Sequence, residues 1–254
     1  MDNLKNISVV IIVKNGAATI KKTLESISAF SDVVIYDNGS TDGTLEIIKE
    51  FSDVNLVQGE FLGFGATKNK AVSYAKNDWI FSLDVDEVIS AELLEELRNL
   101  PLKNTLAVYK IGRLNFYNNK VMKCCGWYPD VVLRIFNRNT TKFNDNLVHE
   151  SIISDKLEIQ LLKTEMHHFP YRNASGLVDK MQKYATLYAK QHKGKKKVTP
   201  IMVVLKSIVA FFKFYILKKG IFYGYEGLLI SVSNAVGVFY KYIKLYEENK
   251  GISQ

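Results

Sequence analysis

Cysteine is nearly missing from this chain. Cys124 and Cys125 are the whole supply among 254 residues, and neighbours in sequence rarely bridge each other. That excludes a disulfide framework, and without spaced partners the pair lacks the pattern of a zinc site. A reduced compartment is expected. Proline is scarce, at four residues, while apolar residues reach 47% against 24% charged, which excludes a disordered chain. Met1 to Asn6 shows no signal-peptide n-region or small-residue cleavage site, so cytosolic topology is expected. Arginine is absent from residues 180–254, where 14 lysines face only Glu226, Glu247 and Glu248. That third is therefore +11, while residues 1–179 hold 20 bases against 23 acids and the whole chain is +8. Basic character confined to one end points to a polyanionic surface, either anionic lipid or nucleic acid.

What is present first is alternation. Ile7–Val13 is an unbroken β-branched run, the pattern of a parallel strand buried on both faces. A helix is predicted from Thr19 to about Ile27, a strand over Val33–Tyr36, and a helix over Thr44–Phe51 with Leu45, Ile48 and Phe51 inward. A strand over Val54–Val57 follows, then a helix opened by Gly63-Phe64-Gly65. A fourth strand, Asp78–Leu83, and a helix capped by Ser90 complete the series. Strand and helix in alternation predict an α/β fold with a mostly parallel, doubly wound sheet and right-handed crossovers. From Leu106 the texture turns to strands and loops, and from about Ser175 to helices. The expected organisation is an α/β half over 1–105, a strand-and-loop half of the same domain over 106–190, and a basic helical segment over 191–254.

Ligands of open α/β sheets bind at the carboxyl ends of strands. Three polar clusters fall there: Lys14-Asn15-Gly16, Asp37 to Asp42, and Asp84 to Glu87. Asp84 and Asp86, two apart on an extended strand end, should point the same way. Two such carboxylates repel unless a cation joins them, and hard oxygen ligands suit Mg²⁺ or Mn²⁺ shared with substrate phosphates. The bland reading is an acidic turn before Ser90.

The motifs SVVIIVKN, VIYDNGSTDGT, GFGATKNKAV and SLDVDE together resemble the nucleotide-binding half of family 2 glycosyltransferases of GT-A fold. GWYPDVVLRIFNR, LVHE and HHFPYRN resemble a bacterial subgroup that adds glucose to a heptose or related inner-core sugar of lipopolysaccharide. The resemblance spans roughly residues 7–190. It implies an inverting hexosyl transfer from a UDP-sugar donor to a glycolipid acceptor. Asp37 would bond the uracil imide, or serve an Asx turn. Asp42 would shape the nucleotide pocket or cap the next helix. Lys14 lies in the first polar cluster, and Gly65 would leave room at a helix start. Lys68 stands where the family usually has Arg, keeping the charge but losing the planar fork. Asp84 would reach ribose or metal, Asp86 would bind the metal, and His168 would approach metal or diphosphate, with Mg²⁺ or Mn²⁺ as the ion. Attack by the acceptor hydroxyl needs a general base, for which Glu150 and Asp130 are both candidates. Arg113 and Arg134 would contact phosphate or acceptor, or pair with nearby acids.

Ile201–Leu217 is apolar but carries Lys206 and Lys213, seven apart on one helical face. This spacing favours a helix lying on a membrane over one crossing it. The expected location is peripheral, on the cytoplasmic face of the inner membrane, against its anionic leaflet. Nucleic acid is a weaker expectation, since the tail has no Arg and its charges interleave with long apolar stretches. A nucleotidyltransferase is disfavoured because Lys14 to Thr19 is not a Gly- and Arg-rich loop. A glycosyltransferase for capsule or another glycan, with a different donor, is the alternative enzyme.

Overall fold

The structure is a computed structural model that describes residues 2–145, 150–171 and 173–252. Two compact units divide the chain, one of residues 1–114 with 130–169, the other of 115–129 with 170–254. Each is discontinuous in sequence, an arrangement that composition read along the chain does not reveal.

The first unit opens as the alternation predicts. Strand β1 (Ile7–Val13) precedes helix α1 (Ile20–Ser26), β2 (Val33–Asp37) precedes α2 (Thr44–Lys49), and β3 (Val54–Gln58) precedes α3 (Phe64–Val72). Then come β4 (Trp79–Ser82), the two-residue β5 (Glu87–Val88) and α4 (Ala91–Arg98). Strands β3, β2, β1 and β4 pair in parallel, in that order. Alternate residues of β1 serve opposite faces: Val9, Ile11 and Val13 join one apolar cluster and Val10 the other. Burying each such side chain contributes roughly 1.5–3 kcal/mol relative to exposure, which explains the unbroken apolar run. In α2, Ile48 is buried as expected, while Ile47 rather than Leu45 packs on the core beside Phe51. Ser90 caps α4 by accepting the Leu93 N–H at 3.2 Å.

Beyond β4 the sheet is mixed. Strand β8 (Val131–Asn137) pairs antiparallel with both β4 and β6 (Ala107–Tyr117). Strand β9 (Glu158–Leu161) runs parallel to β6. Strand β10 (Met166–Tyr171) pairs antiparallel with β5, placing His168 opposite Glu87. Parallel pairing is thus continuous through the first four strands, and the strands beyond them join mainly by antiparallel pairs, with β9 parallel to β6.

In the second unit, β7 (Lys120–Val121) pairs back on the end of β6. Helices α5 (Ala174–His192), α6 (Pro200–Phe212) and α7 (Gly224–Lys250) make up most of the rest. Tyr117, Met122, Cys124 and Cys125 pack with Leu177 and Ile230, and Ala189, Val198 and Val203 pack with Leu245. A π turn (Lys213–Leu217) and a 3-10 turn (Gly220–Tyr223) join α6 to α7. Only glycine fits there: a Cβ at Gly227 would lie 1.9 Å from the Gly220 carbonyl oxygen. Among the described residues, Pro200–Leu217 and Gly220–Lys250 are long and apolar enough to cross a membrane.

Candidate active site

The register of β1 and β2 sets Val13 opposite Asp37, so their outgoing loops lie side by side and are stitched by polar side chains. The Asn15 N–H donates to Ser40 Oγ at 2.8 Å, and Asn15 Oδ1 accepts the Thr41 N–H at 2.8 Å. The Gly16 N–H donates to Thr44 Oγ1 at 2.8 Å and the Ala17 N–H to Asp42 Oδ2 at 3.2 Å. Asp42 also accepts the Thr44 N–H at 3.2 Å and the Thr44 hydroxyl, which serves the start of α2 and holds its carboxyl below the usual range. Asp37 is fully buried and accepts the Gly39 and Ser40 N–H groups at 3.0 and 3.1 Å. That is Asx-turn geometry. Lys14 is exposed, and Gly65 is buried in the first turn of α3.

The acidic turn after β4 lies against these loops. A Cβ on Gly16 would stand 2.8 Å from Val85, and Thr23 Oγ1 donates to the Val85 carbonyl at 2.9 Å. Val85 and Asp86 form a turn, so the strand alternation expected to align Asp84 with Asp86 does not operate there. The two carboxylates take different partners. Lys68 Nζ donates to Asp84 Oδ1 at 3.0 Å, and Arg134 Nη2 donates to Asp84 Oδ2. Asp86 Oδ2 faces His168 Nε2 at 3.5 Å, and the Phe169 N–H donates to the Asp86 carbonyl at 2.9 Å. Strand β10 thereby brings a histidine to an aspartate 82 positions earlier in the chain.

Asp84 is one member of a continuous ionic chain. Glu150 Oε1 lies 2.9 Å from Lys68 Nζ. Arg134 also bonds Glu87, which is fully buried, and Arg113 Nη1 donates to Glu87 Oε1 at 3.1 Å. Arg113 then grips Asp130 with two N–H groups, each at 3.0 Å. Burial alone would raise the Asp84 carboxyl, yet Arg134 and Lys68 hold it far below the usual carboxylate range. Burial opposes the charge on Lys68 and Arg134, and the adjacent carboxylates more than offset it, so both titrate above their ordinary values. Asn69 ties its own helix to the loop after β8, donating to the Phe143 carbonyl at 2.9 Å and accepting the Phe143 N–H at 3.0 Å.

Every candidate catalytic, nucleotide or metal residue lies in the first unit. Lys68 bridges Asp84 and Glu150, Asp86 meets His168, and Asp130 closes the far end through Arg113. In the LVHE motif, residues 147–149 lie outside the described residues, as does Arg172 of HHFPYRN. Read from sequence, Glu87 belongs only to a polar turn. Its place as the buried anion between Arg113 and Arg134 depends on strands remote in sequence and has no local signal.

The donor set fits a divalent ion in part. No group of three metal-type side chains converges among the described residues. Asp86 and His168, however, sit at a separation near that of adjacent ligands of one ion, and an imidazole beside a carboxylate suits Mn²⁺ better than Mg²⁺.

These features define a class: an α/β protein with an acidic set of loops at the carboxyl ends of its parallel strands. The family described as glycosyl transferase family 2 matches residues 8–185, and the chain belongs to that family. The fold is accordingly of GT-A type, with helices added at the C-terminal end. A glycosyltransferase of Rickettsia bellii (strain RML369-C) is 28% identical over 256 residues, covering 96% of this chain and 87% of that protein. The lipopolysaccharide core biosynthesis glycosyltransferase LpsC of Rhizobium meliloti (strain 1021) is 24% identical, covering 96% and 93%. Among solved structures, TarS 1-349 of S. aureus in complex with UDP aligns over 97% of this chain and 92% of that one, with TM-score 0.48 and 15% identity.

Proposed function

We propose that this enzyme transfers a hexose, glucose from UDP-glucose, onto an inner-core sugar such as heptose of a lipopolysaccharide-type glycolipid, with inversion. It would do so at the cytoplasmic face of the inner membrane. The observation that carries the reading is the pairing of Asp86 with His168 just past the carboxyl end of β4, beside the carboxylates of Asp84 and Glu87. Such a site attracts a cation and, through it, a diphosphate. The end-to-end likeness to LpsC supports the acceptor class.

Asp86 and His168 would hold the ion, which supplies positive charge to the departing diphosphate. The chain's own residues do the rest. Asp37 and Asn15 fix the turn that frames the nucleotide. Lys68, neutralised on two sides by Asp84 and Glu150, can offer its charge to a phosphate oxygen only as those pairs loosen. Glu150 and Asp130 are the two carboxylates that could accept the proton of the acceptor hydroxyl, and each is oriented by a cation, Lys68 or Arg113. Such a base contributes about 10²–10⁴-fold.

The test is transfer from a panel of nucleotide-sugars to core oligosaccharides ending in heptose, with and without a chelator. The reading expects chelator-sensitive turnover with UDP-glucose. Strong turnover with another donor and no heptose acceptor would move the assignment to a capsule or other surface glycan.

A further inference from the structure

Helix α6 is built inside out for a protein in water. Ile201, Val204, Leu205, Ile208, Val209 and Phe212 are all exposed, Ile201 at 75% and Val209 at 66%. At about 100° per residue they form one stripe along the helix. The opposite flank is the one that packs: Val203 is buried with Leu245 of α7, and Ala210 is buried as well. The turn that follows continues the surface. Leu217 and Phe222, at 76% and 79%, are the two most exposed large apolar side chains of the described residues, and they bracket Lys218 and Lys219.

The charges near this surface have one sign. Residues 180–225 contain no Asp or Glu. Lys206, Lys213, Lys218 and Lys219 are exposed, and they stand off the stripe, Lys206 with its ammonium 5.0 Å from the Tyr242 ring of α7. Long apolar stems with cationic heads at the rim of an apolar strip suit a headgroup layer. A second copy of the chain is a poor occupant. A two-fold contact through the stripe would bring two lysine-rimmed surfaces together, with no Asp or Glu among residues 180–225 to answer them.

We propose that this stripe, with the Leu217–Phe222 turn, is a docking surface for an anionic lipid bilayer, and that α6 lies in the headgroup plane. The length of Pro200–Leu217 would also permit a crossing, but protein holds the helix along its inner side at both ends. The Cys125 N–H donates to the Lys218 carbonyl at 2.8 Å at one end. Before the other, the Gly194 N–H donates to Asn249 Oδ1 at 2.8 Å and Lys193 pairs with Glu248 at 3.0 Å. A helix packed along one flank has a single side left for lipid. The proposal stands whichever donor and acceptor the enzyme uses.

The test is co-sedimentation of the intact chain with vesicles of phosphatidylcholine alone and of phosphatidylcholine with phosphatidylglycerol. Binding to the second and little to the first is expected. The triple variant Leu205→Glu, Val209→Glu, Phe212→Glu should lower vesicle affinity at least about tenfold. Because these side chains are exposed, its circular dichroism should match the intact chain. Lys213→Gln, Lys218→Gln and Lys219→Gln together should cost roughly a hundredfold on the anionic vesicles, at about fivefold per lysine. An independent check needs no loss of function: Val209→Cys labelled with an environment-sensitive fluorophore should shift to the blue on anionic vesicles. Unchanged vesicle affinity in the glutamate variant would overturn the proposal. So would a label that ignores vesicles, or a stripe-dependent dimer in lipid-free solution whose loss leaves vesicle binding intact.

Discussion

Arg134→Met isolates the centre of the ionic chain. The guanidinium is buried and serves both Asp84 and Glu87, and its Nε has no hydrogen-bond partner among the described residues. Methionine fills a similar volume and removes the charge. Among the described residues Glu87, with no exposed surface, would then keep Arg113 at 3.1 Å and the Asp84 N–H at 3.0 Å. Asp84 would keep Lys68 at 3.0 Å. Stripping one partner from a buried ion pair costs about 3–5 kcal/mol. Since both acids retain a second cation, the lower end applies, about 3 kcal/mol. For a chain of this size each kcal/mol moves the melting temperature by about 2–4 °C, so a fall of about 6–12 °C is expected by calorimetry or far-UV circular dichroism. Arg134→Lys, which keeps charge and loses the fork, should cost less. Adding Glu87→Gln to Arg134→Met should recover part of the loss, because the unpaired buried anion is then gone. A melting temperature within about 2 °C of the intact chain, or a double variant whose losses simply add, would refute the claim that this network is one electrostatic unit.

Other consequences are simpler to read. Glu150→Gln and Asp130→Asn, assayed for transfer, should separate the two base candidates: one should lose about 10²–10⁴-fold in kcat while the other changes far less. Ser90→Ala removes the cap on the Leu93 N–H and should cost about 1 kcal/mol in a urea melt, with activity unchanged. Burial, together with the neighbouring Cys125, pushes the Cys124 thiol up to about 12, and both thiols are buried. The native chain should therefore react with neither a disulfide reagent nor iodoacetamide at mildly alkaline pH on the time scale of free cysteine, and both thiols should titrate in denaturant.

The parallel half of the sheet was legible because a strand buried on both faces has little choice of residue. Ile7–Val13 was read with its final bounds, and the boundaries of Val33–Asp37 and Trp79–Ser82 moved by a residue or so. Polar loops at the strand ends were visible for the same reason, since an apolar run that stops at Asp37 or Asp84 must stop at a surface or a site. What the sequence could not show was pairing at a distance. Nothing local says that β8 inserts between β4 and β6, or that β5 exists at all. It is β5 that sets His168 opposite Glu87 and near Asp86. Arg134 and Glu87 are 47 residues apart, and their contact is a product of the antiparallel strands alone. Asp37 and Asp42 illustrate a different limit. Both were read with two uses each, and the turn and cap uses are the ones that backbone N–H groups in the structure display. In the C-terminal third, heptad spacing of Lys206 and Lys213 was plain, but only packing shows which flank of α6 faces outward.

The central claim is that Asp86 and His168 jointly seat a divalent cation beside the nucleotide diphosphate. The direct measurement is Mn²⁺ binding followed by electron paramagnetic resonance in the presence of UDP, for the intact chain and for Asp86→Ala and His168→Ala. Each variant should weaken Mn²⁺ at least about tenfold while the chain remains folded. Mn²⁺ affinity equal to that of the intact chain in both variants would contradict it.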